Sequence, residues 1–272
     1  MISSTDKEAV FSRSRDGVIP QYNTQTVVDD KHKLIMYSEA TTDGNDRRQL
    51  KKMVEAVEDQ YGCRPEVARA DSDYFNTLDI QELEEKGTEC FCNIPRSAQT
   101  QGGTDERGQQ ISFEYDESKD EYRCSQGKAL VPKYKSHNGK GRKFTSYQGT
   151  ACNSCPIKDS CTTSSKGRSI RRYEDEQWKQ DYIKKMESER GRHHSKLRKA
   201  NVEHPYGTIK MVFMDRQQLK MRGQYKVQTE ICLYHFAYNL KRMQKIASFE
   251  EFRQQIQAFD FQKLHQSKKK AA

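Results

Sequence analysis

The stretch EVARADSDYFNTLDIQELEEKGTECFCNI, residues 66–94, decides the fold class. It opens with a short apolar run, Glu66–Ala70, which stops at Asp71. Leu78–Lys86 follows with helical spacing, and Cys90–Ile94 is a second short apolar run. A strand, a helix and a second strand in this order are typical of α/β folds, in which helices cover a sheet.

Residues before this stretch extend the same pattern. Val18–Val28 and Leu34–Ala40 predict two strands that form a hairpin around a turn at Asp29. Asp46–Tyr61 has apolar residues at helical spacing and ends before Gly62. Residues 1–17 are predicted to be irregular. Together these segments predict an α/β fold with a mixed sheet and flanking helices.

Composition changes after Ser97, where Gly, Ser, Thr and Gln become frequent. We therefore predict an inserted Cys-rich β and loop subdomain over 97–168, between an N-terminal part of the main domain over 1–96 and a helical C-terminal part over 169–246. Residues 247–272 are predicted to be a tail. One helix is expected over 173–203, with Pro205 kinking or ending it near His204.

The net charge of +9 arises from one region of the chain. Residues 164–246 contain 20 Lys and Arg against 9 Asp and Glu, whereas the rest of the chain contains 28 against 30. Such a patch favours a polyanion such as nucleic acid, and a solvated surface without a partner explains the charge equally well. The sequence has neither a membrane span nor a signal peptide, so we expect an intracellular protein that does not contact membranes.

The eight cysteines fall into two groups. Cys152, Cys155 and Cys161 form a C-x2-C-x5-C array, and Cys124 lies 28 residues before the first of them. Four thiols in one loop-rich segment match a structural Zn²⁺ site, and the alternative is four free thiols. The remaining four are predicted to be small buried side chains: Cys63, Cys90, Cys92 and Cys232.

Two carboxylates are candidates for catalysis. Asp71 lies where a strand ends, and Glu203 lies at the end of a basic helix. Taken singly, they read more simply as a turn residue and a surface residue. Together they suit a pair of Mg²⁺ ions that promote phosphodiester chemistry, because such ions need hard oxygen ligands on converging elements.

Four stretches carry a resemblance to the insertion-sequence transposases, which have a DDE catalytic triad on a ribonuclease H-like fold. They are YNTQTVVDDKHKLI with TTDGND, ARADSDYFN, VEHPYGTIK and MRGQYKVQTEICLYHFAYNLKRM. The resemblance runs from about Thr5 to Ile246. It implies a ribonuclease H-like mixed sheet, catalytic Asp71 and Glu203 holding Mg²⁺ or Mn²⁺, and DNA as partner at both transposon ends and target.

The resemblance also implies DNA contacts by Arg198, Lys199, Lys210 and Arg222. Lys210 follows Glu203 by seven residues, as in the family, whereas Lys196 and Lys199 replace the Tyr and Arg that usually precede the Glu. Arg198 is adjacent and can substitute for that Arg. Family members often carry similar cysteines in the insertion.

In the family, a first Asp lies on a strand upstream of the segment that resembles Thr5–Val28. The chain is therefore expected to be a C-terminal part that lacks this Asp, and to need an upstream transposase fragment for strand transfer. A homodimer and a cytoplasmic, nucleoid-associated location are further expectations. The competing hypotheses are an inactive DNA-binding remnant or regulator of transposition, and a nuclease.

Overall fold

The computed structural model describes residues 3–14, 17–95, 111–139, 141–214 and 218–258, with only the backbone at 13, 14, 202 and 203. The chain divides into two compact units, one made of residues 1–93 and 189–272 and the other of residues 94–188. Both units combine strands with helices, so the predicted α/β class is confirmed in its coarse form. No helix among the described residues is long and apolar enough to cross a membrane.

The first unit begins with two hairpins. Strands β1 (Val10–Ser14) and β2 (Gly17–Gln21) pair antiparallel, as do β3 (Asn23–Val28) and β4 (Ile35–Thr41). The predicted single strand over 18–28 is therefore two strands, and the prediction that residues 1–17 are irregular is wrong. Pro20 is compatible with β2 because, among the described residues, this strand pairs only with β1 and needs no donor on its other edge.

Residues 66–94 fold largely as the pattern predicts. The segment forms a strand–helix–strand motif made of β5 (Val67–Ala70), α2 (Thr77–Glu85) and β6 (Glu89–Cys92). In this motif β5 and β6 pair in parallel. Helix α1 (Gln49–Tyr61) precedes them and contacts β3, β4 and α2. The core here includes Leu83 and Phe91, which are 0% and 2% exposed.

The predicted single mixed sheet is not what the described residues form. Strands β3 and β4 make one two-stranded sheet, and β5 and β6 make another. Within the described ranges, β3 has no second strand beside it, and neither does β5. Each of these strands therefore keeps one edge without a ladder of backbone hydrogen bonds.

Five further helices lie in the described part of the chain. Helix α3 (Lys158–Cys161) and helix α4 (Glu176–Glu187) belong to the second unit. Helix α5 (Glu189–Thr208) belongs to the first and runs into a π-helical turn, Ile209–Phe213. The first unit also contains α6 (Gln224–Ile246) and α7 (Phe249–Ala258).

Two predictions about these helices are wrong. The helix expected over 173–203 is broken at Ser188, whose extended backbone separates α4 from α5. Pro205 does not end α5, which continues to Thr208 with the proline buried inside it. After Thr208 the backbone changes from an α-helix to the π-helical turn Ile209–Phe213.

Helix α6 covers the outer edge of β4 with amide side chains. Gln224, Gln228 and Asn239 exchange hydrogen bonds with backbone groups of Ile35, Ser38 and Ala40. Tyr238 of this helix is buried, whereas Tyr225 is 85% exposed.

The second unit is a five-stranded antiparallel meander in the order β11-β10-β9-β8-β7. Its strands are β7 (Phe113–Asp116), β8 (Glu121–Cys124), β9 (Ala129–His137), β10 (Lys143–Gly149) and β11 (Ser169–Tyr173). One core cluster consists of Tyr122, Leu130, Tyr147 and Ile170, and Ile111, Phe144 and Tyr182 of this unit are buried as well.

Candidate active site and cysteine cluster

Asp71 follows β5 directly and is tied to helix α5. One carboxylate oxygen accepts a hydrogen bond from the backbone N–H of Asp73, and the other lies 3.2 Å from Nη1 of Arg198. The Asp71 side chain is 44% exposed, whereas that of Arg198 is 20% exposed. The carboxylate is therefore accessible from solvent while a half-buried cation holds it in place.

Helix α5 contacts the residues that follow both parallel strands. Besides Arg198 at Asp71, Ser195 donates a hydrogen bond of 2.8 Å to the side chain of Asn93, which comes just after β6. The carboxyl ends of parallel strands are where α/β folds place their functional groups. The sequence singled out Asp71 and Arg198 separately, but only the structure brings them together.

Glu203 lies on α5, five residues beyond Arg198, and its side chain lies outside the described residues. Five residues correspond to about 7.5 Å along a helix axis. The backbone of Glu203 is thus within two helical turns of the residue that pairs with Asp71. At four-residue spacing, Lys199 and Glu203 occupy positions on one face of α5.

A buried polar cluster beside this crossing was missed by sequence reasoning. Arg69 of β5 forms an ion pair with Asp30 at 3.0 Å and donates from Nε to Nδ1 of His194 at 2.7 Å. Asn201 of α5 also hydrogen-bonds to Asp30. Although burial opposes it, the Arg69 guanidinium keeps the pKa of Asp30 below its usual value.

His194 is a buried member of this cluster. It is 9% exposed and stacks on Phe91 at a centroid separation of 3.8 Å. Burial, followed by the nearby charges of Arg69 and Arg190, lowers the pKa of His194. The available signal was weak, since Arg69 is a charged residue inside a short apolar strand and such residues need a buried partner.

A second polar network joins β3 to its neighbours. Gln25 is fully buried and hydrogen-bonds to the side chains of Asn23, Asp46 and Tyr74. Tyr206 of α5 donates to the backbone carbonyl of Thr24 at 3.3 Å. Burial raises the pKa of both tyrosines, so both phenols stay protonated donors at neutral pH.

The predicted DNA-contacting residues divide into two groups. Lys199, Lys210 and Arg222 are exposed, and the Lys210 ammonium lies 5.9 Å from the ring centre of Tyr206. Arg198 is instead engaged with Asp71, so it does not point freely into solvent. Three of the four predicted cations thus remain available to phosphate.

In the second unit, the four clustered cysteines line one small cavity of about 30 Å³, together with Gly149 and Arg168. Cys124 ends β8 at a tight turn in which Gly127 N–H donates to its carbonyl at 2.8 Å. The other three lie in the segment between β10 and β11. All four are free thiols of intermediate burial. Cys90 and Cys92 are buried as predicted, but Cys63 and Cys232 are exposed, which corrects that prediction.

No group of three or more His, Cys, Asp or Glu side chains in the described ranges is arranged to hold a metal ion as it stands. The side chain of Glu203 is not among these described side chains. At Asp71, the accessible carboxylate supplies a hard oxygen donor of the type that Mg²⁺ and Mn²⁺ prefer. At the cysteine cluster, the donors are soft thiols of the type that Zn²⁺ prefers.

Residues 123–244 match the family model described as the transposase DDE domain. The matched stretch contains Arg198, Glu203 and Lys210 as well as the four clustered cysteines, and it does not reach Asp71. No curated protein matches the chain, and no solved structure matches it.

Proposed function

We propose that this chain, whose residues 123–244 belong to the DDE-type transposase family, acts in metal-dependent cleavage and joining of DNA strands during transposition of an insertion sequence. The reacting site is assigned to the crossing of helix α5 over the end of β5. Asp71 and Glu203 are its metal ligands, on a ribonuclease H-like arrangement of strands and helices.

The contact between Arg198 and Asp71 is the observation that carries the proposal. It ties the helix that contains Glu203 to the strand end that contains Asp71, although 127 residues separate the two partners in the chain. Two acidic residues on rigid, converging elements are what a phosphodiester-cleaving metal site requires. An isolated turn aspartate would need no such tie.

Asp71 and Glu203 would hold Mg²⁺ or Mn²⁺, which would activate the attacking oxygen and stabilise the leaving oxygen of the phosphodiester. Arg198 orients the Asp71 carboxylate through their contact of 3.2 Å. A metal ion held by Asp71 would compete with Arg198 for this carboxylate. Arg198 would then be available to a DNA phosphate, which would reconcile its ion pair with its predicted role in DNA binding.

Lys199, Lys210 and Arg222 are proposed to contact the DNA backbone. Exposed cations contribute mainly sequence-independent affinity, because they neutralise phosphates and release counterions. Residues 164–246 carry most of the excess positive charge of the chain, with 20 Lys and Arg against 9 Asp and Glu.

We also propose that a further carboxylate reaches the site on an additional extended segment, either in a longer form of the chain or on a separate polypeptide encoded upstream. The unpaired edges of β3 and β5 among the described residues favour this arrangement. Backbone groups at such edges are suited to pairing with another strand.

The test is cleavage of labelled DNA that carries the ends of the element, in Mn²⁺, by the chain alone and with the upstream polypeptide. Cleavage is expected with the upstream polypeptide, and Asp71→Asn or Glu203→Gln should reduce its rate by at least about a hundredfold, more than the loss of an outer-shell partner of a metal. Asp73→Asn removes an equal charge two residues from Asp71 and should leave the rate within about threefold.

Binding of the labelled ends without cleavage in either mixture would contradict the catalytic proposal and would favour a DNA-binding regulator. Equal rates for Asp71→Asn and Asp73→Asn would show that the reaction does not depend on the proposed ligand. Cleavage by the chain alone would keep the catalytic site and overturn only the proposed additional segment.

A further inference from the structure

The cysteine cluster of the second unit is independent of the proposed reaction and lies on three separate pieces of chain. Cys124 lies at the end of β8, Cys152 and Cys155 lie in the loop after β10, and Cys161 ends helix α3. All four side chains border the same cavity, which has a volume of about 30 Å³. A cavity of this size holds a single ion or water molecule.

Backbone geometry around Cys152 is unusually close. A Cβ atom at Gly149 would lie 2.3 Å from the sulfur of Cys152, and one at Gly167 would lie 2.6 Å from its Cβ. Gly167 also has a φ of +82°, which disfavours other residues. Only glycine at both positions lets two backbone segments pack against this cysteine.

Backbone N–H groups hold the loop around Cys152. The backbone N–H of Arg168 lies 3.4 Å from the sulfur of Cys152, and the N–H of Cys155 donates to the carbonyl of Cys152 at 3.2 Å. A sulfur bound to a metal ion is a charged acceptor and makes a stronger hydrogen bond than a thiol. The N–H of Arg168 is therefore placed where it would also support a metal-bound sulfur at Cys152.

The Arg168 side chain places a cation beside the cluster. Its Nη1 donates to the carbonyl of Cys161 at 3.2 Å. Four thiolates around a divalent ion carry a net charge of −2, which a neighbouring guanidinium partly offsets.

We propose that Cys124, Cys152, Cys155 and Cys161 bind one structural Zn²⁺ ion, with Arg168 as the compensating cation. The four thiols border one cavity although they do not yet form a coordinating group, and sulfur is a donor that tetrahedral Zn²⁺ prefers. Four protein ligands leave no open position, so this ion stabilises the fold and takes no part in catalysis.

A structural ion explains how the second unit stays folded with few buried apolar residues. Its core cluster has four buried members, and the loop between β10 and β11 adds few apolar side chains. The ion would join the turn after β8 to the segment that leads into β11. Metal binding of this kind contributes directly to folding free energy.

Metal content and thiol protection test the proposal on the full chain. Purified protein should contain about one zinc ion per chain, and added Co²⁺ should give the absorption of a tetrahedral thiolate complex. Cys155→Ser should bind Co²⁺ at least about tenfold more weakly, whereas Cys63→Ser, an exposed cysteine of the first unit, should bind it as the unchanged chain does.

Alkylation followed by mass spectrometry needs no variant. Zinc should slow the modification of the four cluster cysteines by at least about tenfold relative to chelator-treated protein, while exposed Cys63 and Cys232 react equally in both samples. A chain that contains no zinc and gives no thiolate–cobalt absorption would overturn the proposal. Equal alkylation of the cluster cysteines with and without zinc would overturn it as well.

Discussion

Two regions of the molecule hold their side chains in place in different ways. They are the crossing of α5 over the end of β5, and the cysteine cluster of the second unit. Around Asp71, charged and polar side chains are held by one another: Arg198 by Asp71, and Arg69 by Asp30 and His194. These pairs lie beside an apolar core that includes Leu83 and Phe91. Around Cys152 the core is small, and glycines, a backbone N–H and sulfur atoms define the geometry.

The difference suggests that the two regions respond to different perturbations. A site held by ion pairs and buried histidines should be sensitive to pH and to the loss of single charges. A site held by thiols should be sensitive to metal and to oxidation. Trp178, the single tryptophan, lies on α4 in the second unit, so its fluorescence reports that unit selectively.

The largest expected effects come from buried leucines, one in each unit. Leu83 and Leu130 are 0% and 1% exposed, so replacing either with Ala should lower the free energy of unfolding by about 2–5 kcal/mol. Leu130→Ala should shift the urea midpoint of Trp178 fluorescence. Leu83→Ala should shift the circular dichroism transition, to which the helices of the first unit contribute most.

If each variant shifts both the fluorescence and the circular dichroism transition, the two units unfold as one. This result would contradict the expectation that each unit has a separate core. A shift of fluorescence alone in Leu130→Ala, and of circular dichroism alone in Leu83→Ala, would show that each unit has a separate core. Glu85→Gln, at an exposed position at the end of α2, serves as a control that should change either midpoint little.

The same contrast separates what the sequence predicted from what it did not. Strand β5, helix α2 and strand β6 follow from local apolar spacing, since their pattern repeats within a few residues. The antiparallel pair of β3 and β4 follows from the turn at Asp29, whose carboxylate accepts from the backbone N–H groups of His32 and Leu34. These elements could be predicted because the residues that determine them are close together in the sequence.

Contacts between distant residues were not predictable in the same way. Nothing near Arg69 or His194 in sequence indicates that their side chains meet, because 125 residues separate them. The break at Ser188 was missed because the flanking residues all favour helix and a single extended residue leaves no periodic signal. Family resemblance identified Asp71 and Glu203 as candidate ligands. It did not indicate that Arg198 would form an ion pair with Asp71.

A smaller effect is expected from acid on the first unit. His235 of α6 is 7% exposed, its Nδ1 has no hydrogen-bond partner among the described residues, and burial lowers its pKa to about 4. The unfolded chain takes up the proton near pH 6.5, so the stability that neutral His235 gives is complete above this pH and is lost as the pH falls toward 4. The loss should be roughly 3 kcal/mol, at about 1.36 kcal/mol per pH unit.

Urea unfolding followed by circular dichroism between pH 7 and 4 measures this loss. His235→Leu should flatten the acid side of the profile, leaving a residual slope from His194, whose pKa is lowered as well. His193→Gln, at an exposed position on α5, should leave the slope unchanged. An identical slope in the unchanged chain and in His235→Leu would refute the assignment.

The smallest effect concerns the buried polar cluster. Arg69 donates to both Asp30 and His194, and Arg69→Met should lower the free energy of unfolding by about 1.5–3 kcal/mol, because hydrogen bonds to charged groups contribute in this range. The value should lie at the low end, since the Asp30 side chain is 53% exposed and water can replace the lost partner. Lys51→Met, which breaks an exposed pair with Glu82, is the matched control and should lower the free energy of unfolding less than Arg69→Met does.

Arg69→Met should also raise the pKa of His194, because the Arg69 guanidinium opposes protonation of the ring. Titration of the His194 ring signals by nuclear magnetic resonance measures this shift directly, independently of stability. A lower free energy of unfolding without any shift would mean that Arg69 acts only through packing. A shift in the predicted direction would establish that the charge of Arg69 acts on His194 at the crossing of α5 over β5.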